Sequence, residues 1–95
     1  MEEKAKQVAD LLKLLANENR LLLLCALLER PMTVGELGER TPNIGQSALS
    51  QHLHALRSAG LVADQRRGQY VVYSVADERV RVLLAVLREQ YCREE

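Results

Sequence analysis

The sequence predicts a small, mainly α-helical domain with one β-hairpin near its C-terminal end, and three observations predict it. Apolar residues recur at helical spacing in three segments, residues 8–15, 21–28 and 80–91. Two runs of strand-like composition, residues 61–66 and 70–75, flank Arg67-Gly68-Gln69. Three Tyr and no Phe or Trp among 95 residues leave an aliphatic core and no aromatic platform on which bases could stack. A chain of this length buries one core, so residues 1–95 are expected to form a single domain.

The first helix, residues 2–15, sets Val8, Leu11, Leu12 and Leu15 on one side. Asn17 is a suitable N-cap for a second helix over residues 18–29, in which Leu21, Leu24, Cys25 and Leu28 share a face. Leu22, Leu23 and Leu27 make its other faces apolar, and a helix apolar nearly all round belongs at the centre of a domain. Pro31 ends it. Thr33-Val34-Gly35-Glu36 then reads as a capping box opening a short helix to Arg40. The turn Thr41-Pro42-Asn43-Ile44-Gly45 leads into a helix over residues 46–58, which stops at Ala59-Gly60-Leu61, where Gly60 suits the left-handed position after a helix. In the second strand Val71, Tyr73 and Val75 lie on one face, and Arg67-Gly68-Gln69 forms the hairpin tip. Asp77 caps a last helix, residues 78–91, with Val80, Leu83, Leu84, Leu87 and Tyr91 in one stripe. Val82, Ala85 and Val86 lie on another side, and a helix with two apolar sides needs two surfaces to pack on. A second copy of the chain is the economical second surface, so the expected dimer interface is Val8, Leu11, Leu12 and Leu15 with Val82, Ala85 and Val86.

Composition excludes several classes. Hydrophobic residues at 47% and charged residues at 27% are those of a folded globular protein. The longest apolar run, residues 21–28, is far short of the ~20 residues that cross a bilayer, and the polar N-terminal residues do not resemble a secretory signal. An intracellular, cytoplasmic protein is expected, in which Cys25 and Cys92 are ordinarily reduced. No Ser/His/acid set, HExxH, CxxC or GxGxxG occurs, so neither an enzyme nor a bound cofactor is expected. Net charge is zero, but residues 46–69 are net basic, with Arg57, Arg66 and Arg67 against the single acid Asp64. A basic patch on a neutral protein points to nucleic acid.

Two short helices joined by a turn and followed by a hairpin with a basic tip follow the order of a winged helix-turn-helix. At 100° per residue Leu49, Leu53 and Leu56 face one way along residues 46–58. Ser47, Ser50, Gln51 and His54 gather on the other side, flanked by Gln46 and Arg57. These side chains can bond phosphates and base edges without the bulk that would keep a helix out of a major groove, whereas a plain solvated face ordinarily carries Lys and Glu. Arg66, Arg67 and Gln69 on the hairpin are candidates for phosphate or minor-groove contacts, and double-stranded DNA is the expected partner. His52, at the edge of the leucine face, reads as a packing residue with one hydrogen bond.

The segments Leu14-Leu15-Ala16-Asn17-Glu18-Asn19-Arg20-Leu21, Val34-Gly35-Glu36-Leu37, Gln46-Ser47-Ala48-Leu49-Ser50-Gln51-His52-Leu53, Gly60-Leu61-Val62 and Arg67-Gly68-Gln69 together resemble the ArsR/SmtB family of small bacterial repressors. The resemblance implies a homodimer joined through its first and last helices, which binds operator DNA and releases it to a chemical inducer. Metal-sensing members carry Cys clusters near the helix-turn-helix or Asp and His sets on the last helix. Residues 33–40 hold no Cys and residues 77–95 no His, so no metal site is expected. The run Leu21-Leu22-Leu23-Leu24-Cys25-Ala26-Leu27-Leu28, with Tyr91-Cys92, looks instead like the two-cysteine branch, which responds to oxidants or reactive sulfur species by bridging its thiols through a disulfide or polysulfide. A metal-responsive repressor and a winged-helix protein without a thiol switch are the alternatives. Against the family pattern the turn before residue 46 is about one residue longer, and Gly45 stands where a Ser ordinarily caps the reading helix.

Overall fold

The computed structural model describes residues 1–92. Its elements run α1 (Glu2–Leu15), α2 (Glu18–Glu29), β1 (Met32–Thr33), α3 (Val34–Arg40), α4 (Gln46–Ser58), β2 (Val62–Arg67), β3 (Tyr70–Val75) and α5 (Glu78–Tyr91). This is the winged helix-turn-helix order, with α3 and α4 as the helix pair and β2–β3 as the wing.

Local chemistry sets the boundaries. Asn17 accepts a bond from Arg20 N (3.1 Å) and so caps α2. Thr33 and Glu36 form the reciprocal capping box, Oγ1 of Thr33 accepting from Glu36 N (3.1 Å) and Oε1 of Glu36 from Thr33 N (2.9 Å). That backbone bond leads the causes that hold the Glu36 carboxyl below its ordinary pKa. Buried Thr41 closes α3 by donating Oγ1 to Leu37 O (2.6 Å). The end of α4 is a Schellman motif, in which Gly60 at φ 80° lets Leu61 N reach Leu56 O (2.9 Å) and Gly60 N reach Arg57 O (3.0 Å). Leu56 and Leu61, the apolar pair that accompanies this motif, are both buried. Asp77 caps α5 through Arg79 N (2.9 Å) and Val80 N (3.3 Å).

The sheet has the order β1-β3-β2, antiparallel throughout. β1 is not foreseen from the sequence because two residues carry no periodicity and Pro31 signals only a helix end. Met32 pairs with Tyr73 and Thr33 with Val72, which ties the wing to the start of α3. The wing begins at Val62 rather than Leu61, whose N–H is committed to the end of α4. Arg67 belongs to the strand, paired with Tyr70, so the turn is Gly68-Gln69 alone. Gly68 at φ 62° occupies the position of a two-residue hairpin turn that most favours glycine.

One aliphatic cluster joins Leu15, Leu23, Leu24, Leu27, Met32, Leu37, Leu49, Leu53, Leu56, Val62, Val80 and Leu84. α2 lies at its centre, packed on α1, α3, α4, α5 and β3. Its innermost face is Leu23, Leu24, Ala26 and Leu27, not the expected Leu21, Leu24, Cys25 and Leu28, of which only Leu24 is fully buried. Periodicity cannot choose a face on a helix that is apolar all round; its neighbours do. Along α5, Val80 and Leu84 are buried, but Leu87 and Tyr91 of the same stripe are exposed because the helix outruns the core.

Candidate nucleic-acid interface and thiol pair

α4 is held by Leu49, Leu53 and Leu56, each at most 3% exposed, and this fixes which side of the helix faces out. Gln46, Ser47, Ser50, Gln51, His54 and Arg57 are all exposed on the opposite side. The serines and Gln51 offer both donors and acceptors at the spacing of one helix face, which suits base edges and phosphates. Gly45 supplies no side-chain bond to the α4 N-terminus. The turn before it is anchored instead by buried Ile44, whose N–H reaches Thr41 O (3.0 Å).

On the wing Arg66, Arg67 and Gln69 are exposed, as is Tyr70 beside the turn. Tyr70 reads from the sequence only as a strand residue, and the signal that could have marked it is its position across the turn from Arg67. Arg57 is paired with Asp64 at 3.0 Å, which links the end of α4 to β2, and Arg67 donates to Gln65 at 3.3 Å. The one acid of the basic segment therefore neutralises one of its arginines. An exposed pair of this kind contributes at most about 1 kcal/mol to stability. Replacing Asp64 with Asn should free Arg57 for phosphates, raising affinity for scrambled duplex about threefold and steepening its salt dependence by the equivalent of about one phosphate. Fluorescence anisotropy across a salt series checks this, and an unchanged slope would show that Arg57 stays clear of the backbone.

His52 is half-buried, and its side chain accepts at Nδ1 from Arg20 Nε at 3.3 Å.

Both cysteines are free thiols. Cys25 is half-buried on α2, and Cys92 is exposed at the C-cap of α5, its N–H donating to Arg88 O at 2.8 Å. Burial pushes the Cys25 thiol above its ordinary pKa, and the neighbouring Cys92 sulfur adds to the shift. Arg88, one turn before Cys92, opposes it, while Glu29, one turn after Cys25, raises it further. The packing of α2 on α5 thus brings two residues 67 positions apart within electrostatic reach. Among the described residues no group of three or more His, Cys, Asp or Glu is arranged to hold a metal ion.

The stripe of the expected dimer interface is only partly free. Val8, Leu12, Val82, Ala85 and Val86 are exposed and Leu11 is half-buried, whereas Leu15 is 5% exposed and belongs to the protomer's own core. As the last residue of its helix, Leu15 is turned inward where the chain bends toward α2. An open groove of about 670 Å³ runs between α1 and α5, lined by Val8, Leu11, Leu14, Leu61 and Leu83, with Asp77 and Arg79 also at its walls.

With this geometry, the family model for bacterial regulatory proteins of the arsR family matches residues 17–64, from the α2 cap into the wing. The chain belongs to the arsR family. It is 42% identical to the transcriptional activator HlyU of Vibrio cholerae over 98% of its length and 85% of that protein. The structure of reduced HlyU superposes with a TM-score of 0.91 over 98% of this chain and 97% of the other. The biofilm growth-associated repressor of Xylella fastidiosa is 39% identical over the whole chain and 82% of the repressor. The winged helix-turn-helix domain of Mb0332 from Mycobacterium bovis, described as homodimeric and DNA-binding, matches with a TM-score of 0.79 at 30% identity, covering 99% and 93% of the two chains. These relatives are transcriptional regulators, not enzymes, and their names include both an activator and a repressor.

Proposed function

We propose that this arsR-family protein is a homodimeric transcriptional repressor in the cytoplasm, which binds operator DNA and releases it when Cys25 and Cys92 become covalently linked. The observation that carries the reading is the exposed Ser, Gln and His stripe of α4 set beside an arginine-bearing wing. In this reading α4 enters a major groove, where Ser47, Ser50, Gln51 and His54 meet base edges and Gln46 and Arg57 flank them. Arg66, Arg67 and Gln69 hold the backbone. The dimer forms on Val8, Leu11, Leu12, Val82, Ala85 and Val86. In support, most of these are exposed apolar side chains that one protomer leaves uncovered, and a relative of the same fold is homodimeric.

The inducer is a peroxide or an organic hydropersulfide. With peroxide, one thiolate attacks an oxygen, the O–O bond breaks and hydroxide leaves, giving a sulfenic acid. The second thiolate attacks that sulfur, the S–S bond forms and a second hydroxide leaves, so two thiols and one peroxide yield a disulfide and two waters. With a hydropersulfide, the first thiolate takes the outer sulfur and a thiolate leaves; attack by the second on the persulfidated cysteine releases hydrosulfide. The packing of α2 on α5, which puts the two thiols within electrostatic reach, supports the bridge, because linking them constrains α5, a dimer helix, against α2, on which α4 packs.

Titrating a duplex enriched by the protein from a random-sequence library tests the reading. The log of the affinity should fall linearly with log salt at about −0.9 per neutralised phosphate, and sedimentation equilibrium should give twice the 10.7 kDa protomer mass. Affinity indifferent to salt, or a species of protomer mass alone, would refute it.

A further inference from the structure

We infer that Arg20 is a positioning residue that fixes the seat of α4 relative to the end of α1, and that operator selectivity depends on its simultaneous grip on both. The inference rests on the proposed reading of α4 as the DNA-reading helix.

The last four carbonyls of a helix lack partners within it and must find others. At the end of α1, Leu12 O and Lys13 O take Ala16 N (2.9 and 3.3 Å), and Leu15 O takes Asn17 N (2.7 Å). The fourth, Leu14 O, takes a guanidinium N–H of Arg20 at 3.1 Å. The same guanidinium donates its Nε–H to His52 Nδ1 at 3.3 Å. Arg20 itself is fixed at its backbone by the Asn17 cap and is half-buried, so its fork has little freedom. Arginine only donates, so Nδ1 of His52 is the acceptor in this contact.

His52 lies between Gln51 on the exposed stripe and buried Leu53. A helix moves as a rigid rod, so a shift at His52 re-aims Ser47, Gln51 and His54 together. α1 carries Val8 and Leu12 of the proposed dimer surface. The path from α1 through Arg20 to α4 therefore helps set the separation and tilt of the two reading helices, which must match half-sites one helical turn of DNA apart. Lysine has one donor nitrogen and cannot span both acceptors, so Arg20→Lys is not conservative here.

The test compares Arg20→Lys, His52→Leu and His52→Asn with the unsubstituted protein on two probes, the library-enriched duplex and its scrambled counterpart, together with melting midpoints and sedimentation. Asn places its Oδ1 about where Nδ1 of His stands and keeps an acceptor for Arg20, whereas Leu removes it. Arg20→Lys and His52→Leu should lose about tenfold on the enriched duplex with scrambled-duplex binding and dimerisation kept, and His52→Asn should retain selectivity. Equal selectivity of His52→Asn and His52→Leu would overturn the inference, and that pair decides it even where Arg20→Lys fails to fold. If the unsubstituted protein enriches no duplex, the DNA-reading proposal itself falls. If it enriches one and all variants keep its selectivity, only the role of Arg20 does.

Discussion

Under peroxide or an organic hydropersulfide the unsubstituted protein should lose operator affinity by about 5- to 150-fold, the range of a typical allosteric coupling, and recover it on reduction. Proteins carrying Cys25→Ser or Cys92→Ser should stay bound, with the affinity of the reduced protein unchanged. Anisotropy with the enriched duplex reads the release, and intact-mass spectrometry counts the sulfur atoms in the bridge. Burial and the Cys92 sulfur disfavour ionisation of Cys25, and a thiol reacts only as its thiolate. With its pKa raised, Cys25 is mostly thiol at neutral pH, so its alkylation should be slow there and accelerate as pH climbs past the ordinary thiol range. Cys92→Ser removes the sulfur that helps raise the Cys25 thiol and should move that profile to lower pH; Arg88→Gln removes the opposing cation and should move it higher. A single-cysteine protein that still releases DNA would overturn the switch, because no thiol pair within the protomer would remain to account for it.

Substitutions on α4 and on the wing should separate into two kinds of loss. Replacing Gln51, Ser47 or His54 with Ala should cost about 1 to 3 kcal/mol on the enriched duplex and relax base choice at the position each one faces, with little change on scrambled duplex. Replacing Arg66 or Arg67 with Ala should weaken binding to all duplexes alike and flatten the salt slope by about one for each phosphate no longer neutralised. The division follows from the geometry. The α4 side chains stand on one face of a helix pinned by Leu49, Leu53 and Leu56, whereas the arginines sit at the exposed end of a hairpin, beyond its pairing with β1. Equal losses on both duplexes for all five substitutions would contradict it.

The sequence by itself determined every element but β1, and their order, because the signals involved are local. A capping residue and the backbone it satisfies lie within three positions, as with Asn17, Thr33 with Glu36, and Asp77. The glycine that ends α4 needs only its own preceding turn, and the polar face of α4 follows from helical spacing against three leucines. What the tertiary structure alone decided involves groups distant along the chain, or helices whose pattern has no preferred side. The inward face of α2 depended on which five elements surround it, and the core burial of Leu15 depended on the bend after α1. The two-residue β1 exists only because β3 lies alongside to pair with it. Arg57 is tied to Asp64 because β2 runs back past the end of α4, and Arg20 meets His52 across 32 residues. Cys25 and Cys92 come within electrostatic reach only because α5 returns to pack on α2. Hydrogen bonds and thiol chemistry act over a few ångströms of space, and no spacing along the sequence encodes that distance until the helices have packed.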